Sequence, residues 1–139
     1  EYYPQTGESK PSPYVKAIGV GNWSGAEDAS LRTLRAGVCL QERQGSRYLI
    51  YGYFSSATPS AMALVFQAYG CQYAMHLDMN ALEHTYLAVY PRHGDQFDVG
   101  HLVSGMAGID KRENGKVIPR FVGYADNRDF FYLTEKQRP

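Results

Sequence analysis

Cysteine is scarce in this chain. Two residues, Cys39 and Cys71, in 139 exclude a disulfide-dense scaffold and a four-thiolate zinc site, and leave one disulfide or two buried thiols. Net charge is absent as well. Fourteen basic residues balance fourteen acidic ones, so the chain lacks the positive field that draws proteins onto nucleic acid, and no nucleic-acid partner is expected. No stretch reaches the roughly 18 uninterrupted apolar residues of a membrane helix, so no membrane span is expected. The chain opens on Glu1 without the basic, apolar and small-residue succession of an export signal. The expectation is therefore a chain cut from a longer precursor, or one from which a signal has been removed.

What remains is a chain of one-domain size, with 44% hydrophobic residues and twelve tyrosines. Residues 1–13, EYYPQTGESKPSP, read as an arm or linker because three prolines remove backbone donors, and residues 14–139 read as one domain. A short strand is predicted at 14–20 (YVKAIGV), then turn-like sequence to about residue 30. RAGVCLQ (35–41) and RYLIYGYF (47–54) are rich in β-branched and aromatic residues around a glycine-bearing turn, which predicts a hairpin. Thr58 suits a helix cap and Pro59 a first helical position. Met62, Val65, Phe66 and Tyr69 then recur at helical spacing up to Gly70. Further strands are predicted at 71–79, 85–90, 118–124 and 130–133, with a loop over 91–100 and a turn at ENGK. The fold class is α+β: a mixed or largely antiparallel twisted sheet carrying one principal helix.

The densest chemistry lies in HLDMNALEH, which places His76, Asp78, Asn80, Glu83 and His84 within nine positions. In an extended strand His76, Asp78 and Asn80 project to one face, with Leu77 and Met79 on the other. A carboxylate there suits general acid or base work, or cation binding, tuned by imidazole and amide neighbours. The same residue types also suit a turn bracketed by backbone hydrogen bonds. Arg35, at the start of a strand, suits a carboxylate or phosphate clamp, although arginines so placed also serve as ordinary ion-pair partners. In DNRDFFYL the default expectation is a turn with Arg128 paired to an aspartate. Neither cysteine has the basic neighbour of an activated thiolate.

The succession RAGVCL, RYLIYGYF, SATPSAMALVFQAYGC and YAMHLD, over residues 32–90, resembles the later half of the phosphodiester glycosidase family, which contains the uncovering enzyme acting on a sugar phosphodiester. That family runs from an Arg-led strand through a second strand and a helix ending near a Gly-Cys-like step. It then enters a strand reading Ala-x-Asn-Leu-Asp. The matching positions here are Arg35, Gly70, Cys71, Ala74, His76, Leu77 and Asp78. Where the family continues into a Gly-rich run, this chain has Met79, Asn80, Ala81, Leu82, Glu83 and His84, and the family's earlier Asn-Gly-Gly-Phe-like segment has no counterpart.

The resemblance implies a hydrolase acting on a sugar-phosphate or glycosidic linkage. Asp78, Glu83 and His84 would be catalytic, and Arg35, His76 and Asn80 would bind substrate. The identity of any cofactor stays open, a divalent cation being one candidate. The implied partner is a sugar-containing small molecule or glycan, with a companion fragment of the same precursor completing the fold. A secreted or periplasmic setting follows from the same resemblance. The alternative expectation is a catalytically inactive glycan-binding or protein-assembly domain, suggested by the missing glycines and the aromatic content.

Overall fold

The computed structural model describes residues 2–3, 8–9 and 30–136, which leaves the strand predicted at 14–20 and most of the following turn outside the described residues. The chain divides into two compact units, Glu1–Leu87 and Ala88–Pro139. In the first, β1 (Tyr2–Tyr3) pairs with β2 (Glu8–Ser9) in a short antiparallel ladder.

The predicted hairpin is present and longer than its sequence core. β3 (Thr33–Arg43) pairs antiparallel with β4 (Ser46–Ala57). The chain reverses at Gln44 and Gly45, whose φ angles of 52° and 76° are the paired positive values of the two-residue turn that matches strand twist. Helix α1 (Pro59–Ala68) follows at once. The Thr58 hydroxyl accepts from Ala61 N–H at 3.2 Å, Pro59 opens the first turn, and Gly70 at φ 71° ends the helix. The Gln41 side-chain amide donates to the Tyr69 carbonyl and ties that end of α1 to β3. β5 (Cys71–Met79) then pairs antiparallel with β3, giving a sheet of order β4-β3-β5.

Helix α1 lies on one face of this sheet because that face is nearly flat. Gly37 and Gly52 are register partners, and a Cβ on either would approach Phe66 to within 2.8–2.9 Å. Their missing side chains let the Phe66 ring settle over the strands, edge-on to Phe54 at 5.7 Å between centroids. Met62, Phe66, Ala57, Cys39 and Cys71 form the core, with Ile50, Phe54 and Ala74 against it. Of the four helix positions at apolar spacing, Met62 and Phe66 are buried, whereas Val65 and Tyr69 face solvent. Cys39 and Cys71 are joined in a disulfide, Cα atoms 5.8 Å apart, which resolves the two readings of the cysteines.

The second unit is built from very short ladders. β6 (Ala88–Val89) pairs with β9 (Gly100–His101), β7 (Arg92–His93) with β8 (Gln96–Phe97), and β10 (Lys111–Glu113) with β11 (Lys116–Ile118); a 3-10 turn covers Ser104–Gly108. Met106 is wholly buried, and buried polar pairs accompany it. His101 Nε2 lies 2.8 Å from Asp110 Oδ2, and Arg120 Nε donates to Asp126 Oδ2 at 2.9 Å. The architecture is thus mixed α+β, with antiparallel sheets and one α-helix.

Several expectations fail locally, for identifiable reasons. The strand expected at 85–90 shrinks to Ala88–Val89, because Thr85 turns its hydroxyl back onto the Ala81 and Leu82 carbonyls. The loop expected at 91–100 contains the β7/β8 hairpin instead, reversing at Gly94, φ 62°. The strand expected at 118–124 stops at Ile118. Phe121 takes φ 64°, and Gly123 N–H donates to the Pro119 carbonyl, so only an isolated bridge between Arg120 and Tyr124 survives. Residues 130–133 have no ladder partner among the described residues, although Phe130 stacks on Phe121 at 4.5 Å. Asp126 pairs with Arg120, a partner outside the DNRDFFYL segment.

Candidate functional site

The alternation that would place His76, Asp78 and Asn80 on one face is broken by a β-bulge. His76 pairs with Gly37 and Met79 with Arg35, so three steps on β5 oppose two on β3. Partners across a ladder share a face, hence His76 and Met79 both lie on the side occupied by α1, and Leu77 and Asp78 form the bulge. His76 is half-buried there, with its Nε2 shielded from solvent. Asp78 is turned outward, its side chain 55% exposed.

Backbone geometry fixes what surrounds Asp78. Its Oδ1 accepts the Met79 N–H at 2.7 Å. Asn80 leaves the strand at φ 78°, a left-handed conformation that asparagine tolerates, and its N–H donates to the Leu34 carbonyl at 2.8 Å. The Asn80 side-chain oxygen accepts from the Thr33 hydroxyl at 3.1 Å. Beyond it the 3-10 turn Leu82–His84 carries an exposed Glu83 and brings His84 back toward the bulge. His84 Nδ1 lies 2.8 Å from the Met79 carbonyl and 3.7 Å from Asp78 Oδ1. A carbonyl can only accept, so Nδ1 carries the proton, and in the neutral ring the lone pair sits on Nε2.

Tyr51 secures this turn from the sheet, since its hydroxyl donates to the Thr85 carbonyl at 2.8 Å. Burial, with repulsion from Tyr53 and Asp78, pushes its phenol up to about 12. Tyr51 and Thr33 were not singled out from the sequence. Nothing distinguishes Tyr51 from Tyr48 or Tyr53 in RYLIYGYF until pairing is known, and Thr33 precedes the recognisable strand pattern.

Arg35 occupies a different environment from the one its sequence position suggests. It is fully buried: Nε donates to the Ala57 carbonyl at 2.9 Å, one terminal nitrogen to the Leu31 carbonyl at 3.2 Å, and the other approaches Met79 Sδ at 3.2 Å. Desolvation holds its proton affinity below the ordinary arginine value. As described, the guanidinium ties together the ends of β4 and β5 and the approach to β3. The structure therefore brings Asp78 and His84 together, turns the Asn80 side chain onto Thr33, leaves Glu83 exposed on the following turn, and places His76 and Arg35 on the helix side of the sheet.

Comparison with known family models, characterised proteins and solved structures returns no match. The site thus stands on its own geometry. Among the described residues no group of three or more His, Cys, Asp or Glu side chains is placed to hold a metal ion. No helix among them is long and apolar enough to cross a membrane. Chemically, the arrangement offers an outward carboxylate with one oxygen fixed, an imidazole of defined tautomer beside it, and an amide held by a hydroxyl. Those are the parts of a proton-transfer site.

Proposed function

We propose that this chain is a divergent phosphodiester-glycosidase-like hydrolase domain acting on a sugar-phosphate or glycosidic linkage. The observation that carries the reading is the bulge at Leu77 and Asp78, which turns the carboxylate out of the sheet beside His84. Bulges commonly re-aim a side chain at a functional position. In the mechanism Asp78 exchanges a proton with the scissile linkage or with the attacking water. The second proton transfer, to or from the leaving oxygen, falls to His84 at Nε2, its Nδ1 being held on the Met79 carbonyl. Asn80 and Glu83 contact sugar hydroxyls, and Arg35 acts as a positioning residue by holding Met79, the neighbour of Asp78.

Turnover of a chromogenic sugar phosphodiester by the whole chain tests the reading. Asp78→Asn, with its circular dichroism unchanged, is expected to lose at least about a hundredfold in kcat. Unchanged turnover would remove Asp78 from the mechanism. Absence of any turnover by the parent chain would favour the second reading, an inactive glycan-binding or assembly domain. That reading is supported by the exposed apolar run Phe131, Tyr132 and Leu133, the last 83% accessible.

A further inference from the structure

The second unit carries a cleft that the Asp78 reading does not use. The tight turn through Phe121 brings Arg120 and Tyr124 together in their isolated bridge, and β10 sets the Lys111 ammonium 4.1 Å from the centroid of the Tyr124 ring. With Asp126 and Asn127 these side chains line a cavity of about 390 Å³, at the small end of ligand-binding cavities.

The charges in this cleft do not balance. Arg120 is buried and bound through Nε to Asp126. That bond, above all, holds the Asp126 carboxyl below its ordinary range, with the Asn127 and Arg128 N–H groups adding to it. Guanidinium and carboxylate therefore cancel and lock each other in place. Lys111 is exposed and has no carboxylate within ion-pair distance among the described residues; its ammonium is held over the aromatic face instead. Asp110, whose charge is also felt at the Tyr124 ring, is buried and turned onto His101, so among the side chains that line the cleft Lys111 leaves one positive charge on a compact, three-donor group, and Asn127 supplies an amide donor and acceptor nearby.

We propose that this cleft binds a small organic anion, a phosphate or carboxylate group carried on a sugar-sized, hydroxyl-bearing body. The anionic oxygen sits on Lys111, and Asn127 takes the hydroxyls. An ammonium does not select between tetrahedral and planar oxyanions as a guanidinium fork does, so both sources of the anion satisfy the same chemistry.

The full chain is titrated separately with glucose 1-phosphate, glucuronate, glucose and inorganic phosphate while the amide shifts of Lys111, Tyr124 and Asn127 are followed by NMR. Saturable shifts are expected with glucose 1-phosphate or glucuronate, the tighter arm naming the anion, and none with glucose. Lys111→Met is expected to weaken binding about tenfold, and Lys111→Arg to recover most of it. Lys111 is exposed, and preserved spectral dispersion in both variants verifies the fold. The proposal is overturned if neither organic anion gives saturable shifts, if Lys111→Met binds as the parent does, or if inorganic phosphate binds as tightly as the organic anions, the signature of an adventitious ion only. The readout is binding rather than turnover, so the result is independent of the role given to Asp78.

Discussion

Removing the Cys39–Cys71 disulfide should separate the stability of the first unit from that of the second. The bond spans 32 residues and encloses β4 and α1. Releasing a loop of that length returns about 3.5 kcal/mol of chain entropy to the unfolded state at 25 °C. Both cysteines are at most 2% exposed and belong to the core, so replacement by alanine adds a small packing loss of about 1 kcal/mol. A total near 4 to 5 kcal/mol is a large share of the roughly 5–15 kcal/mol available to a small domain. The assay is urea unfolding of the parent and the Cys39→Ala/Cys71→Ala variant, with native-state hydrogen exchange on both. The variant's m-value should rise, because its unfolded chain expands further. Protection should fall across β3, α1 and β5 while residues 88–136 keep theirs. A double variant within about 1 kcal/mol of the parent at an unchanged m-value, or intact parent protein titrating two free thiols, would refute the reasoning.

Two further perturbations test the sheet. Gly37→Ala would place a Cβ 2.8 Å from Phe66 and 3.0 Å from Met62, and should cost about 1–3 kcal/mol in a thermal melt, whereas Gly108→Ala, with no atom within 4 Å, should stay within about 0.5 kcal/mol; equal effects would show that α1 does not seat on the glycine floor. Tyr51 has a folded pKa of about 12 against an ordinary 10.0, so it keeps its proton in the folded state after the unfolded state has lost it. Its contribution is complete below pH 10.0 and is lost as pH rises toward about 12. Ultraviolet titration of Tyr51→Phe should therefore lack the most alkaline tyrosinate step, and an unchanged titration curve would contradict the burial of this phenol.

The elements that could be read from the sequence share one property: local pattern and tertiary environment agree in them. RAGVCLQ and RYLIYGYF alternate around Gln44-Gly45, and Thr58-Pro59 announces a helix whose Met62 and Phe66 reach the core. The second unit offers no such agreement, because its ladders are two or three residues long. Tight turns and buried polar contacts such as His101–Asp110 hold it, and these join residues that no period relates. At the candidate site the cluster itself was visible in HLDMNALEH, but its division between two faces was not. A bulge is a mismatch between two strands, and β5 read alone contains no sign that Met79 rather than Asp78 will oppose Arg35.

The same mismatch explains why Arg35 and Asp78 do not face one another. Arg35 and Met79 are register partners, so both side chains go to the helix side, where the guanidinium finds Ala57, Leu31 and the Met79 sulfur. A buried guanidinium is tolerable only when its donors are satisfied, and carbonyls left without it would themselves be stranded. Arg35 therefore supports Asp78 from behind: by fixing Met79, whose N–H holds Asp78 Oδ1 and whose carbonyl holds His84, it fixes both members of the proposed proton-transfer pair through a single residue. Loss of activity on changing Arg35 would consequently look the same for an anion clamp and for this internal tie. Only the tie requires the loss to be accompanied by weakened protection along β5 and the turn at Leu82–His84.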